Sequence, residues 1–346
     1  MYKTEREIMS QYEALGKTYR YIMDRRDELK AFLDKQPYKS VTFIGCGSSY
    51  CLCKSAEISF KLRTGMAANS IPAGDLMMNF PHYERLMKDT LLVIPSRSGS
   101  TTEVIRAVEK VRDKYRAPCI SISAASGSRL GRIADISLEL PWAFDESVCQ
   151  TRTVTNLYFA NLLLIAILLE DSLLIDELDR VVQNGNAYME RVQGEIQEIA
   201  KRAGWEKVVV LADSELAGIA EEGALAFNEI CQLPANHYHV LDVRHGPMVL
   251  IDDKSLVIMA CSPWGESYQK DLIRHLKSKG GFVITVSSRE ENVWGSDCNI
   301  SVPPYQNYGV YGVPFILVPQ LLSYYKAIEL GVNPDAPHGL DPWIQL

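Results

Sequence analysis

The chain has 346 residues, 47% of them hydrophobic and 23% charged, with 36 basic and 43 acidic side chains and a net charge of −7. This is the make-up of a globular protein with room for two domains. The mild acidity and the absence of like-charge runs exclude a nucleic acid or a membrane surface held by a basic patch, but not a small anion, which backbone N–H groups can bind inside an acidic protein.

Residues 1–34 read as an N-terminal helical segment, charged and helical in period and so unlike a signal peptide. Beyond it, short β-branched runs alternate with amphipathic stretches. "SVTFIG" (40–45) precedes "SYCLCKSAEISFKL", "TLLVIPS" (90–96) precedes "TTEVIRAVEKVRDKY", and "APCISIS" (117–123) and "ADISLELP" (134–141) follow. Continuous apolar strands separated by helices predict an α/β fold with parallel strands covered on both faces. "NLYFANLLLIAILLE" (156–170) falls short of the ~20 residues of a bilayer span and predicts a buried helix.

The strand pattern then returns as "KVVVLAD" (207–213), "SLVIMACS" (255–262) and "GFVITVSS" (281–288). Pairing Val41 with Val208, Val93 with Val257 and Ile120 with Ile284 gives offsets of 167, 164 and 164. Nearly constant spacing predicts two similar domains in tandem, over 35–180 and 181–346, joined by the helical stretch from about Asn156 to Ala203. Eight cysteines without an export signal point to free thiols and a cytoplasmic location.

A ligand of an open α/β sheet sits beyond the carboxyl ends of its strands. There the first half reads "GCGSSY" (45–50) and "SRSGSTTE" (96–103), the second "ADSELAG" (212–218) and "CSPWGES" (261–267). Serine and glycine cap helices and turn chains in any protein. Two Ser/Gly loops at equivalent strand ends, each opening onto a helix N-terminus, point further, to a bound phosphate monoester. Neither fits the triphosphate-binding pattern GxxxxGK[ST]. On this reading the second half is largely scaffold at its strand ends. Cys46, Cys51 and Cys53 follow no standard zinc or iron–sulfur spacing and read as small hydrophobes.

Two further stretches are "EEGALAFNEI" (221–230) and "VRHGPMVLID" (243–252). The first is helical, with Glu222, Ala226 and Glu229 on one side; a carboxylate partly buried there suits proton transfer. In the second, Gly246 and Pro247 close a loop that holds His245. With the two Ser/Gly loops these motifs resemble, over roughly residues 35–340, the tandem SIS (sugar isomerase) domain family. Its members include the isomerase half of glutamine–fructose-6-phosphate amidotransferases, AgaS-like isomerase/deaminases and fructosamine-6-phosphate deglycases.

The resemblance implies two tandem SIS domains, each a parallel, five-stranded, doubly wound sheet flanked by helices. It implies phosphate contacts from Ser48, Ser49, Ser96, Arg97, Ser98 and Thr101, with Arg97 standing where the synthase has glutamine. "ESVCQTRTVT" (146–155) resembles a sugar-contacting loop and places Val148 and Gln150 near the sugar. Glu229 is implied as the base that moves a proton between C1 and C2. His245 assists ring opening from a neighbouring subunit, which implies a homodimer with shared active sites, or a higher oligomer. His237 and His239 share a strand face but lack a third ligand, so neither metal nor cofactor is expected.

Departures from the synthase shape the expectation. "MYKTE" opens the chain with no glutaminase domain before it, and the synthase's two lysines are replaced by Ala226 and Pro342, removing the Schiff-base route. What remains fits an isomerase/deaminase or deglycase acting on a 6-phosphorylated amino sugar or ketosamine. The alternative is a non-catalytic phosphosugar-binding regulator.

Overall fold

The computed structural model describes residues 1–202 and 204–340. Three helices, α1 (Lys3–Met9), α2 (Gln11–Asp24) and α3 (Arg26–Leu33), come first. Then follow β1 (Ser40–Gly45), α4 (Ser48–Thr64), β2 (Ala67–Pro72), α5 (Ala73–Met78), α6 (Phe80–Met87), β3 (Thr90–Ser96) and α7 (Thr102–Tyr115). The first sheet ends with β4 (Cys119–Ser123), α8 (Arg129–Ile133) and β5 (Ile136–Glu139), and two long helices succeed it, α9 (Arg152–Leu169) and α10 (Ser172–Lys201). The rest is β6 (Lys207–Leu211), α11 (Ala217–Ala226), β7 (Ala235–Tyr238), β8 (Ser255–Ala260), α12 (Glu266–Ser278), β9 (Phe282–Ser287), β10 (Cys298–Ser301) and α13 (Gly312–Leu330).

The chain forms two compact units. The N-terminal unit holds Met9–Glu146 and Gln150–Gln183; the C-terminal unit holds Met1–Ile8, Ser147–Cys149 and Asn184–Leu340.

In the N-terminal unit all five strands run parallel, in the order β2-β1-β3-β4-β5. Hydrophobic residues on one side, among them Ile44, Leu92 and Ile94, pack with Leu76, Val104, Ile105 and Val108 from α5 and α7. Helices α4 and α9 pack on each other and on the strands. Among the described residues only α9 is long and apolar enough to cross a membrane, yet 83% of it is buried, so it acts as a core helix. Its continuous run from Thr153 to Ile167 is enclosed by the unit. Each leucine so enclosed contributes roughly 2 kcal/mol of apolar burial.

The C-terminal unit repeats this topology. Its sheet, also parallel, has the order β10-β9-β8-β6-β7, which read from the other edge is that of the first. Helix α11 lies so close to α13 that a Cβ on Gly223 would stand 2.9 Å from Pro319 Cγ. Residues 1–8 join this unit through Asp335, whose carboxylate accepts the Lys3 and Thr4 N–H groups at 2.9 and 2.8 Å and so caps α1. Glu7, 4% exposed, accepts the Ser147 N–H at 3.2 Å.

The α/β reading and its five-stranded parallel sheets hold. Hydropathy missed β2, β7 and β10, because "AANSIP", "ANHY" and "CNIS" are edge strands with polar side chains rather than continuous apolar runs. The N-terminal helical segment is three helices, interrupted at Ser10 and Arg25, whose backbones leave the helical region.

Candidate active site

The order 2-1-3-4-5 reverses between β1 and β3, the switch point where doubly wound sheets bind ligands. Both Ser/Gly loops of the N-terminal unit lie there. After β1 the chain turns at Gly47, with φ +52° and ψ −129°, a conformation closed to other residues, and enters α4 at Ser48. Ser48 and Ser49 are 5% and 6% exposed, and neither hydroxyl makes a hydrogen bond among the described residues. The Ser49 N–H turns inward to the Cys46 carbonyl (3.1 Å), whereas the N–H groups of Gly47 and Ser48 have no acceptor among the described residues. These are the orphan donors of a helix N-terminus, a feature that can bind an anion.

After β3 the second loop folds on itself. The Gly99 N–H donates to Ser96 Oγ (3.0 Å) and the Ser100 N–H to Ser98 Oγ (3.2 Å). Gly99 has φ +57°, and a Cβ there would stand 2.4 Å from Ser128 Oγ, so no larger residue fits. Thr101 is the N-cap of α7 but gives the helix no side-chain hydrogen bond, leaving its hydroxyl for another partner. Arg97 is 8% exposed and brings a guanidinium into this Ser-rich turn. The structure thus brings Ser48, Ser49, Ser96, Arg97, Ser98 and Thr101 to adjacent strand ends of one sheet. Gln150 belongs to the same unit, and its buried Oε1 has no partner among the described residues.

Cysteine chemistry does not enter. Cys51 and Cys53 are buried in α4, and Cys46 packs half-buried against the core. Burial, with the nearby Glu103 carboxyl, pushes the Cys46 thiol up to about 11, so it stays protonated at neutral pH. Glu103 itself was passed over by the motif reading. It lies in the first turn of α7 with Oε2 buried and unpaired among the described residues, and the acid at the end of "STTE" was its trace in the sequence.

Glu229, His245 and Val148 belong to the C-terminal unit. Helix α11 stops at Ala226, and Phe227–Cys231 forms a π turn with Glu229 at its centre. The regular stripe expected through Glu222, Ala226 and Glu229 is therefore broken: Glu222 is buried and Glu229 only half-buried on a wider turn. Such π turns concentrate at functional sites. Phe227, Ile230 and Cys231 anchor this one in the core, and Asn228 exchanges two hydrogen bonds with the Ala235 backbone, at 3.1 and 2.8 Å. His245 follows a 3₁₀ turn (Asp242–Arg244) and is held by its N–H on the Asp242 carbonyl (2.8 Å), its ring exposed within the unit. Leu241, Val249 and Leu250 beside it are 40%, 84% and 56% exposed. Val148 donates its N–H to the Asp335 carbonyl at 3.1 Å. Pro342 lies outside the described residues.

His237 and His239 stack edge to face at 5.6 Å, His239 on Asp213 and His237 on the Ala212 carbonyl. Among the described residues no three His, Cys, Asp or Glu side chains converge as metal ligands.

Comparisons with known proteins agree with this geometry. The chain is 26% identical to a glutamine–fructose-6-phosphate aminotransferase (isomerizing) of Wigglesworthia glossinidia brevipalpis, over 97% of itself and 57% of that protein. It thus spans little more than half the length of such relatives. It is 27% identical to the D-galactosamine-6-phosphate deaminase AgaS of a Shewanella species (strain ANA-3), over 87% of itself and 78% of that protein. The solved structure of a glucosamine-6-phosphate deaminase from Thermotoga maritima superimposes with a TM-score of 0.76 at 26% identity, covering 95% of this chain and all of the other. Residues 36–167 and again 203–330 match the SIS domain, one copy for each sheet, and the chain belongs to the SIS domain family.

Proposed function

We propose that the protein is a phosphosugar-processing enzyme acting on a 6-phosphorylated amino sugar or ketosamine by proton transfer between C1 and C2. One observation carries the reading: two Ser/Gly loops at the β1/β3 switch point present orphan N–H groups, unengaged hydroxyls and a buried guanidinium, with no Walker-type lysine. That donor set suits a compact phosphate dianion. The names of these relatives share a 6-phosphorylated sugar and nitrogen chemistry, which supports the same class.

Glu229 takes the proton from the carbon next to the carbonyl or imine. The C–H electrons form the C1–C2 double bond of an enediol or enolamine, and the carbonyl oxygen or imine nitrogen gains a proton. Returning the proton to the neighbouring carbon completes the isomerisation. Where the nitrogen sits on the carbon that gave up its proton, return of a proton to the neighbouring carbon with loss of one from nitrogen leaves an imine; water then adds to it and the amine leaves. His245 moves the proton that opens the sugar ring. Alanine at position 226 leaves this route without a cation one turn before Glu229.

The homodimer belongs to the same proposal. His245 sits among Leu241, Val249 and Leu250, an exposed apolar setting that a second copy of the chain would cover while using the imidazole.

The test is a panel of 6-phosphorylated ketosamines and hexosamines, with products read by mass spectrometry, run against Glu229→Gln. Turnover lost in the variant with binding retained supports the mechanism; unchanged turnover removes Glu229 from it. Binding without turnover of any substrate by the unaltered protein would favour a phosphosugar-binding regulator.

A further inference from the structure

The strand ends of the second sheet, expected to be scaffold, carry their own constellation. β1 and β6 begin at Ser40 and Lys207, 167 residues apart, and the same step from Gly47 leads to Ser214. Both residues have positive φ, +52° and +56°, which is uncommon for a serine. The side chains around these two positions differ in kind. Asp213 stands for Cys46 and Glu215 for Ser48. Across the switch point the paired registers give an offset of 165, so Ser262 stands for Arg97 and Trp264 for Gly99. The guanidinium and the Ser48 hydroxyl are lost while two carboxylates and an indole are gained, and the carboxylates repel phosphate.

Tyr308 lies where these strand ends meet. Its 3₁₀ turn (Tyr308–Tyr311) packs on the turn Ser214–Leu216. The side chain is 5% exposed, and its hydroxyl makes no hydrogen bond among the described residues. Burial first, and then the Cys261 thiol, the Asp213 and Glu215 carboxyls and Tyr311, hold that hydroxyl protonated. Asp213 gives Oδ1 to both the Val240 N–H and His239 Nδ1, each at 3.0 Å, which leaves Oδ2 without a partner among the described residues. Trp264, 67% exposed, stands edge-on to the Tyr308 ring at 6.0 Å, and Tyr268, one helical turn on, is 66% exposed. An exposed indole against an unsatisfied, buried phenol, with two carboxyls on the turn packed beside that phenol, suits a cationic ligand.

We propose that the carboxyl end of the C-terminal sheet is a second ligand site, one that takes the ammonium group of a small organic amine. Asp213 and Glu215 supply the counter-charge, the Tyr308 hydroxyl accepts one N–H, and Trp264 with Tyr268 forms the aromatic wall on which a cation is held. The site does not depend on the phosphate-site reading: it lies on other loops, in the other unit, and binds the opposite charge.

The experiment is saturation-transfer NMR and calorimetry on the full chain, with n-butylammonium and glucosamine as probes and n-butanol and glucose as uncharged controls. Saturable binding of both amines and of neither control is expected. Asp213→Asn and Trp264→Ala should each weaken n-butylammonium at least tenfold, Trp264→Phe should restore most of the loss, and Arg97→Gln, altered only in the phosphate loop, should leave it unchanged. Binding of glucosamine but not n-butylammonium would place the amine on the sugar site and overturn the proposal. So would equal affinity in Asp213→Asn, no saturable binding of either amine, or displacement of n-butylammonium by inorganic phosphate.

Discussion

Asn228 grips Ala235 twice, its amide nitrogen donating to the Ala235 carbonyl and its amide oxygen accepting the Ala235 N–H, so the π turn that carries Glu229 is tied to the first residue of β7. Asn228→Ala removes both bonds at once. A stability loss of about 1–2 kcal/mol is expected in urea unfolding. Turnover should fall more than substrate affinity, because the substitution frees the turn beneath the base without touching the phosphate loops.

Glu229→Gln keeps size and hydrogen bonding but removes the base. Steady-state kinetics should show kcat lower by about 10²- to 10⁴-fold, the range of general-base catalysis, with KM nearly unchanged. A fall in affinity with kcat preserved would assign Glu229 to binding.

Arg97→Gln should act the other way. Removing a buried guanidinium from the phosphate loop costs about 1.5–3 kcal/mol of charge-assisted hydrogen bonding, seen as roughly a 10- to 100-fold rise in KM for the phosphorylated substrate. Inorganic phosphate should weaken as an inhibitor in parallel. A non-phosphorylated substrate analogue should be indifferent to the change.

The Cys46 thiol sits at about 11 in the folded protein, against 9.0 as its ordinary value, through burial first and the Glu103 carboxyl second. Between these values the unfolded chain has released the proton and the folded chain still holds it, so stability falls as pH rises through that window. Thermal unfolding at pH 8, 9, 10 and 11 should show a decline that Cys46→Ala lessens. Iodoacetamide should modify Cys46 slowly below about pH 10, since the thiolate is the reactive form.

Mixing inactive variants tests the shared site. If His245 serves a neighbouring copy, random reassociation of Glu229→Gln with His245→Ala leaves one intact site in each mixed dimer, so about a quarter of full activity should return. Val249→Asp, on the exposed loop, should lower the sedimentation coefficient to that of a monomer and block the recovery.

How legible this was in the sequence depended on the residue. The apolar strands β1, β3, β4, β6, β8 and β9 stood out because central parallel strands are buried on both faces, whereas "AANSIP" and "CNIS" border their sheets and carry no such run. Ser48, Ser98 and Thr101 could be singled out because the residues of a Ser/Gly loop are neighbours in the chain. Tyr308 and Glu215 could not, since they lie more than ninety residues apart and meet only once two turns fold onto each other. The π turn was hidden as well, because "EEGALAFNEI" has the spacing of an ordinary α-helix and nothing in it announces the wider turn at Phe227.

The matched topology of the two sheets has a consequence for how such a chain can change. On the proposed reading one half grips the anion and its twin is released from that duty, so that its tips between 261 and 268 and between 305 and 311 can accept new side chains without disturbing either framework. Variation among enzymes built this way should gather on those tips, making the idle half the one in which novelty is tried.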